Sequence, residues 1–121
     1  MSVVIRQQHS PRLEDVARQL AAAFSLARDA IDTGESVVLV VDGPDLLGQG
    51  TLTDAAVATG MLGLMRALTF EGGSKGWHVN LVAVDPGSEP DPALLDAAAS
   101  IPGLTGQVLN ASTGHTGKIV P

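Results

Sequence analysis

The residues able to do chemistry are few and nearly all acidic. Asp42, Asp45, Asp54 and Asp85 stand at or near the ends of apolar runs. In an open α/β sheet such positions gather at the carboxyl edge of the strands, where ligands bind. Four carboxylates there could hold Mg²⁺ or Ca²⁺ through hard oxygen ligands. The plainer expectation is that they are solvated loop acids and helix-start residues, so no metal site is assigned. His9, His78 and His115 lie far apart and share no metal-type spacing, so each is read as an ordinary surface or satisfied histidine. Serine, histidine and aspartate all occur, but no Gly-x-Ser-x-Gly elbow supports a hydrolase triad. The stretch Gly43 to Gly50 is glycine-rich like a phosphate loop. It has no lysine after its second glycine, and Asp42 and Asp45 would repel phosphate, so it is read as a plain loop. Trp77 and Phe70 are expected to be core or interface anchors rather than guards of a pocket.

The elements that would position these groups follow from periodicity. Val3 to Arg6 reads as a strand. Ser10-Pro11 reads as the capped start of a helix that ends at Gly34. Leu13, Val16, Ala17, Leu20, Phe24, Ala27 and Ile31 give it one apolar stripe, and Ala22, Ala23, Leu26 and Ala30 a second. Two stripes predict two neighbours, one in the core and one outside it. Ser36 to Val41 is continuously apolar, as in a strand covered on both faces. A loop over Gly43 to Gly50 leads to a helix from about Asp54 to Phe70, capped by Thr53 and ended by Gly72-Gly73. Val79 to Val84 is a third strand. Asp91-Pro92 starts a short helix through Ser100, and Thr105 to Ala111 is a last strand. The tail from Ser112 is glycine-rich, with a short apolar end at Ile119-Val120. The order β-α-β-α-β-α-β predicts a three-layer α/β/α, half-Rossmann-like domain over residues 1–121, with a four-stranded parallel sheet.

Composition bounds the partners. The chain has 121 residues, a net charge of −6, no cysteine and no tyrosine, with one Trp and two Phe. The core must therefore be built from small aliphatic side chains. No cluster of Lys and Arg exists to neutralise a phosphate backbone or an anionic membrane, so neither nucleic acid nor membrane is an expected partner. The absence of cysteine excludes disulfides and thiolate chemistry. No basic segment followed by an apolar stretch opens the chain, and the expected location is cytoplasmic.

At the second long helix the pattern becomes more specific. GMLGLMRALTFEGGSKGWHVNLVAVDPG, Gly60 to Gly87, resembles the stretch after the active-site tyrosine in the short-chain dehydrogenase/reductase family. Gly63, Leu64, Arg66, Leu68, Glu71, Gly76, Val79, Asn80, Pro86 and Gly87 occupy matching places. LTGQVLNASTG, Leu104 to Gly114, is similar to that family's last strand, and RQLAAAFSLARDAI resembles the long helix before its active-site strand. The resemblance covers only the second half of the family fold. It implies that the strand and Gly-rich turn that bind the dinucleotide would lie before Met1.

The resemblance also implies a lost active site. Aligned on Gly63 and Arg66, the family's tyrosine falls at Asp54 and its lysine at Ala58. The catalytic serine falls at Val41 or Asp42, and the helix asparagine at Gln19. A chain without tyrosine cannot run the family's proton relay. Pro86-Gly87 borders the nicotinamide in the family, but two extra residues precede it here, and a structural turn is the expected role. No cofactor is expected unless a partner chain supplies NAD(P).

Two function classes follow. The favoured one is a pseudoenzyme: a non-catalytic structural or regulatory subunit that pairs with itself or with a related dehydrogenase. The alternative is an oxidoreductase component whose cofactor half sits on another chain; a third class uses the carboxylates for unrelated chemistry. In the family the first two helices form a four-helix interface, which implies a dimer here through Leu26, Ala30, Ala56, Gly60 and Gly63. Val3 to Arg6, mid-sheet in the family, is expected to be an edge strand.

Overall fold

The computed structural model describes Ser2–Thr113. Four parallel strands lie in the order β1-β2-β3-β4. They are β1 (Ser2–Arg6), β2 (Ser36–Asp42), β3 (Val79–Val84) and β4 (Val108–Asn110). Helices α1 (Leu13–Asp32), α3 (Leu52–Gly72) and α4 (Pro92–Ser100) connect them, with a four-residue helical turn α2 (Gly43–Leu46) after β2. The α/β/α expectation therefore holds, with strand order following chain order.

Strand alternation divides the core into two layers. Ile5, Val37, Leu39, Val41, Leu81 and Ala83 face one way and pack with Val16, Ala23, Ala27 and Ala30 of α1 and with Val57, Ala58, Met61 and Met65 of α3. Val38, Val40, Val82 and Val84 face the other way, against Ala98, Leu94 and Leu95 of α4. β2 and β3 are thus covered on both faces, which is why their sequences are continuously apolar. Asn80 is the one fully buried polar residue of β3. Its Nδ2 donates to the carbonyls of Ala98 and Leu104, both at 2.7 Å, and its Oδ1 accepts from the N–H of Gln107 at 3.0 Å. These bonds tie α4 and the turn before β4 to the sheet.

Several local expectations are corrected. The segment after β2 begins with a helical turn, because the residue after Gly43 is a proline placed where a first helical turn accepts it. The cap of α3 is Thr51, whose hydroxyl accepts from the N–H of Asp54 at 3.2 Å, and the helix starts two residues earlier than Thr53 implied. Ser10 caps nothing: α1 starts at Leu13 without a side-chain cap. β4 is shorter than Thr105 to Ala111, since Gly106 has φ +72°, a turn conformation foreign to a strand. The apolar stripes of α1 divide differently as well. Ala23 and Ala30 belong to the core, while Leu13 and Phe24 are exposed. Residues 114–121, which include His115 and Ile119-Val120, lie outside the described residues.

Candidate functional site

β1 is followed by four polar residues, Gln7, Gln8, His9 and Ser10, and these build the carboxyl edge of the sheet. The side chain of Gln7 is buried between three acidic residues. Its Nε2 donates to Asp45 Oδ2 at 3.0 Å and to the carbonyl of Asp54 at 3.1 Å, and its Oε1 accepts from the N–H of Asp42 at 2.9 Å. Asp54, in the first turn of α3, turns its carboxylate back toward β1. Oδ1 accepts from the N–H of Ser10 at 2.7 Å, and Oδ2 lies 2.6 Å from His9 Nδ1. Gln19 on α1 closes the set. Its Nε2 donates to Ser10 Oγ at 2.6 Å and to the carbonyl of Gln8 at 2.9 Å, while its Oε1 accepts from the N–H of Gln8 at 2.6 Å. Asp42 pairs with Arg6 at 2.9 Å, and the same guanidinium nitrogen reaches the carbonyl of Ser88.

The two buried carboxylates are driven in opposite directions. Burial raises Asp54, but the Ser10 N–H, His9 and the Thr51 hydroxyl outweigh it and hold the group below the usual carboxylate range. Burial raises Asp45 too, with the charges of Asp54 and Asp42 adding to it and the Gln7 amide only partly opposing. Gly50 serves the same residue: a Cβ there would collide with the Asp45 carboxylate.

The sequence expectations sort unevenly. Asp42, Asp45 and Asp54 do gather around Gln7, but Asp45 and Asp54 are buried and hydrogen-bonded rather than solvated. Asp85 sits apart, at the end of β3. Its carboxylate accepts from the N–H of Thr113 at 2.9 Å and from both hydroxyls of Ser112 and Thr113, which hold it below the usual range. Among the described residues no three His, Asp or Glu side chains converge as metal ligands. His9 lies at the surface with its Nδ1 paired to Asp54 Oδ2. His78 Nδ1 donates to the carbonyl of Ala99 at 2.9 Å.

The side chains at the positions that the resemblance aligned with an active site are held by internal contacts. Asp54 is kept below the usual carboxylate range and is ionised at neutral pH, so it has no proton to give. Ala58, one turn on, is wholly buried in the core. Gln19 is tied to the backbone of β1's extension. Pro86-Gly87 forms a turn in which the N–H of Ser88 donates to the carbonyl of Asp85, with Gly87 at φ +75°. Gln7 and Ser10 hold the network together; Gln7 was not singled out from sequence, and Ser10 was read only as a helix cap. The signal was present in four consecutive polar residues at the exit of a β-branched strand.

The interface candidates are also redistributed. Ala56 and Gly63 lie on the outward side of α3, and a Cβ on Gly63 would meet nothing within 4 Å. Gly60 instead lies against α1, where a Cβ would come within 2.7 Å of Leu20. Ala30 is buried in the core and Leu26 is half exposed. Trp77 lies against Gly72 so closely that a Cβ on that glycine would overlap the indole, and Lys75 Nζ stands 4.9 Å above its ring.

Comparison with solved structures identifies the architecture. The chain superposes on a citronellol catabolism dehydrogenase of Pseudomonas aeruginosa PAO1 with a TM-score of 0.68 and 20% identity, over 93% of this chain and 61% of that one. It superposes on an angucycline C-6 ketoreductase, solved with bound NADP, with a TM-score of 0.62 and 18% identity, over 90% of this chain and 56% of that one. The fold is that of the short-chain dehydrogenases. The chain spans less than two thirds of either dehydrogenase. No family model and no curated relative matches it. No described helix is long and apolar enough to cross a membrane.

Proposed function

We propose that this chain is a non-catalytic domain of short-chain dehydrogenase fold that works by association, with itself or with an active dehydrogenase. The outward face of α3 carries this reading. Leu52 and Phe70 are 87% and 91% exposed, and Ala56, Thr59, Gly63, Arg66 and Ala67 lie between them on the same exposed side. Two large apolar side chains exposed at the ends of an outward helix face, with mostly small residues between them, mark a surface suited to an interface. The 19 residues from Leu52 to Phe70 span about 27 Å. In an antiparallel pair of such helices, Phe70 of one copy meets Leu52 of the other, and the small residues between them allow close approach.

The committed state of Asp54 and the burial of Ala58 support the absence of turnover. The chain alone is expected to show no NADPH oxidation with a generic ketone, and no micromolar binding of NADPH by calorimetry. Sedimentation at high micromolar concentration tests the association directly. Phe70→Glu should lower the mass without unfolding the chain, and a wild-type chain that sediments as a monomer without a copurifying partner refutes the reading. A second reading, an oxidoreductase component completed by a chain that carries the cofactor half, is favoured by the 56–61% span of the two dehydrogenases. Its signature is NADPH binding that appears only when the completing chain is present.

A further inference from the structure

The far side of the sheet carries a different surface. β1 pairs with β2 on one side and has no partner strand on its outer side among the described residues. The direction of its backbone groups follows from parity. The N–H of Gln7 donates to the carbonyl of Val40, so the odd residues Val3 and Ile5 also turn their peptide groups toward β2. Ser2, Val4 and Arg6 therefore present theirs to the open edge. The strand reads Ser-Val-Val-Ile-Arg, with no proline, lysine or bulge to blunt it. On the α4 side of the sheet Val4 is 45% exposed, because α4 covers β2 and β3 but stops short of β1.

We infer that a second copy of this chain pairs antiparallel along β1, joining two four-stranded sheets into one of eight strands. The observation behind it is that the open edge is self-complementary about Val4. A two-fold axis through Val4 sets Val4 opposite Val4, Val3 opposite Ile5, and Ser2 opposite Arg6. Apolar side chains then meet apolar ones on both faces. The residues with free peptide groups, Ser2, Val4 and Arg6, fall on the hydrogen-bonded pairs, where both partners exchange N–H···O bonds. Only the carbonyl of Arg6 has a bond to give up, a 3.4 Å contact with Gln8 Nε2.

The covering helices fit the joint. α1 lies over β1 and β2, so its copy would lie two strand spacings away, about 10 Å, the usual distance between packed helices. The shoulder of α1 that points away from α3 holds Gln19, Ala22 and Leu26, one turn apart in succession. Gln19 is anchored to Gln8. Four residues down the strand from Gln8 is about 13 Å, or about nine residues down α1 from Gln19, which brings the helical turn just beyond Leu26 to the level of Val4. Leu26, 51% exposed, lies about 3 Å short of that level, so the two copies of Leu26 flank the axis.

This interface is separate from the α3 face and does not depend on it. The chain has no cysteine, so Val4→Cys introduces a single thiol at the axis, where hydrogen-bonded pairs hold their Cα atoms about 5.5 Å apart, within disulfide reach. Under mild oxidation Val4→Cys should form a covalent dimer at least tenfold faster than Gln107→Cys, on the opposite side of the sheet, and should do so in a Phe70→Glu background. Val4→Pro removes only an outward N–H, so it should keep the fold by circular dichroism and lower the sedimented mass. Cross-linking of Val4→Cys no faster than that of Gln107→Cys overturns the inference, whether or not Val4→Pro folds. If Phe70→Glu still lowers the mass in that case, the α3 interface stands and only the β1 pairing falls.

Discussion

The carboxyl edge and the outer face of α3 belong to the same helix and have opposite characters. At its first turn, α3 contributes Asp54 to a network in which Gln7, Ser10, Gln19 and three acidic residues satisfy one another. Along its outer side it exposes Leu52 and Phe70 with no protein atoms to cover them. A buried polar group is expensive unless paired, so the first region holds the chain to itself. Exposed apolar area gains by leaving water, so the second turns the chain outward. A dehydrogenase site is a place where polar groups are held ready for a substrate. At the carboxyl edge of this chain the polar groups are held by internal bonds, and the exposed apolar side chains lie on the flank.

The contrast can be broken most strongly at the network. Asp54→Ala strips the Ser10 N–H and His9 of their acceptor and should cost about 2–4 kcal/mol in urea unfolding, as loss of a buried charged acceptor does. Gly60→Val forces Leu20 away from the α1–α3 contact and should cost about 1–3 kcal/mol, measured the same way. A shift in pH separates the two carboxylates. The folded pKa of Asp54 is depressed, so its contribution is present above the ordinary carboxylate value, near 3.9, and is lost as pH falls through the lower folded value. The folded pKa of Asp45 is raised, so its ionisation weakens the fold at neutral pH, and protonation relieves this as pH falls toward its folded value. Thermal melting should thus hold or rise slightly on mild acidification and collapse only at strongly acidic pH. Asp45→Asn should stabilise the neutral protein slightly and abolish the rise. The smallest effect on stability belongs to the flank. Phe70→Glu should change the unfolding free energy by no more than about 0.5 kcal/mol while changing the association state, which is the reverse of Asp54→Ala.

What could be read from sequence follows the physics of each region. β2 and β3 were legible because burial on both faces requires an unbroken apolar run. The faces of α1 were not, because alanine recurs at Ala21, Ala22, Ala23, Ala27 and Ala30, and a residue that suits core and surface equally carries no period. Ala30 was consequently placed outside when it lies inside. Ser10 has the right identity and position for a helix cap, but its N–H is taken by a carboxylate 44 residues away. A contact of that separation leaves no trace in the local pattern. Asp54 was found by its alignment with a tyrosine, whereas its partners needed the fold.

The packing of Trp77 on Gly72, with Lys75 above the ring, has an optical consequence. With no tyrosine and one tryptophan in the chain, ultraviolet-excited emission comes almost wholly from this indole. The protein thus carries a single intrinsic fluorophore at the end of α3, at the opposite pole of the molecule from Asp54. Its spectrum will report when that pole loosens. Comparing it with an amide signal from the whole backbone tells whether the two ends of α3 melt together.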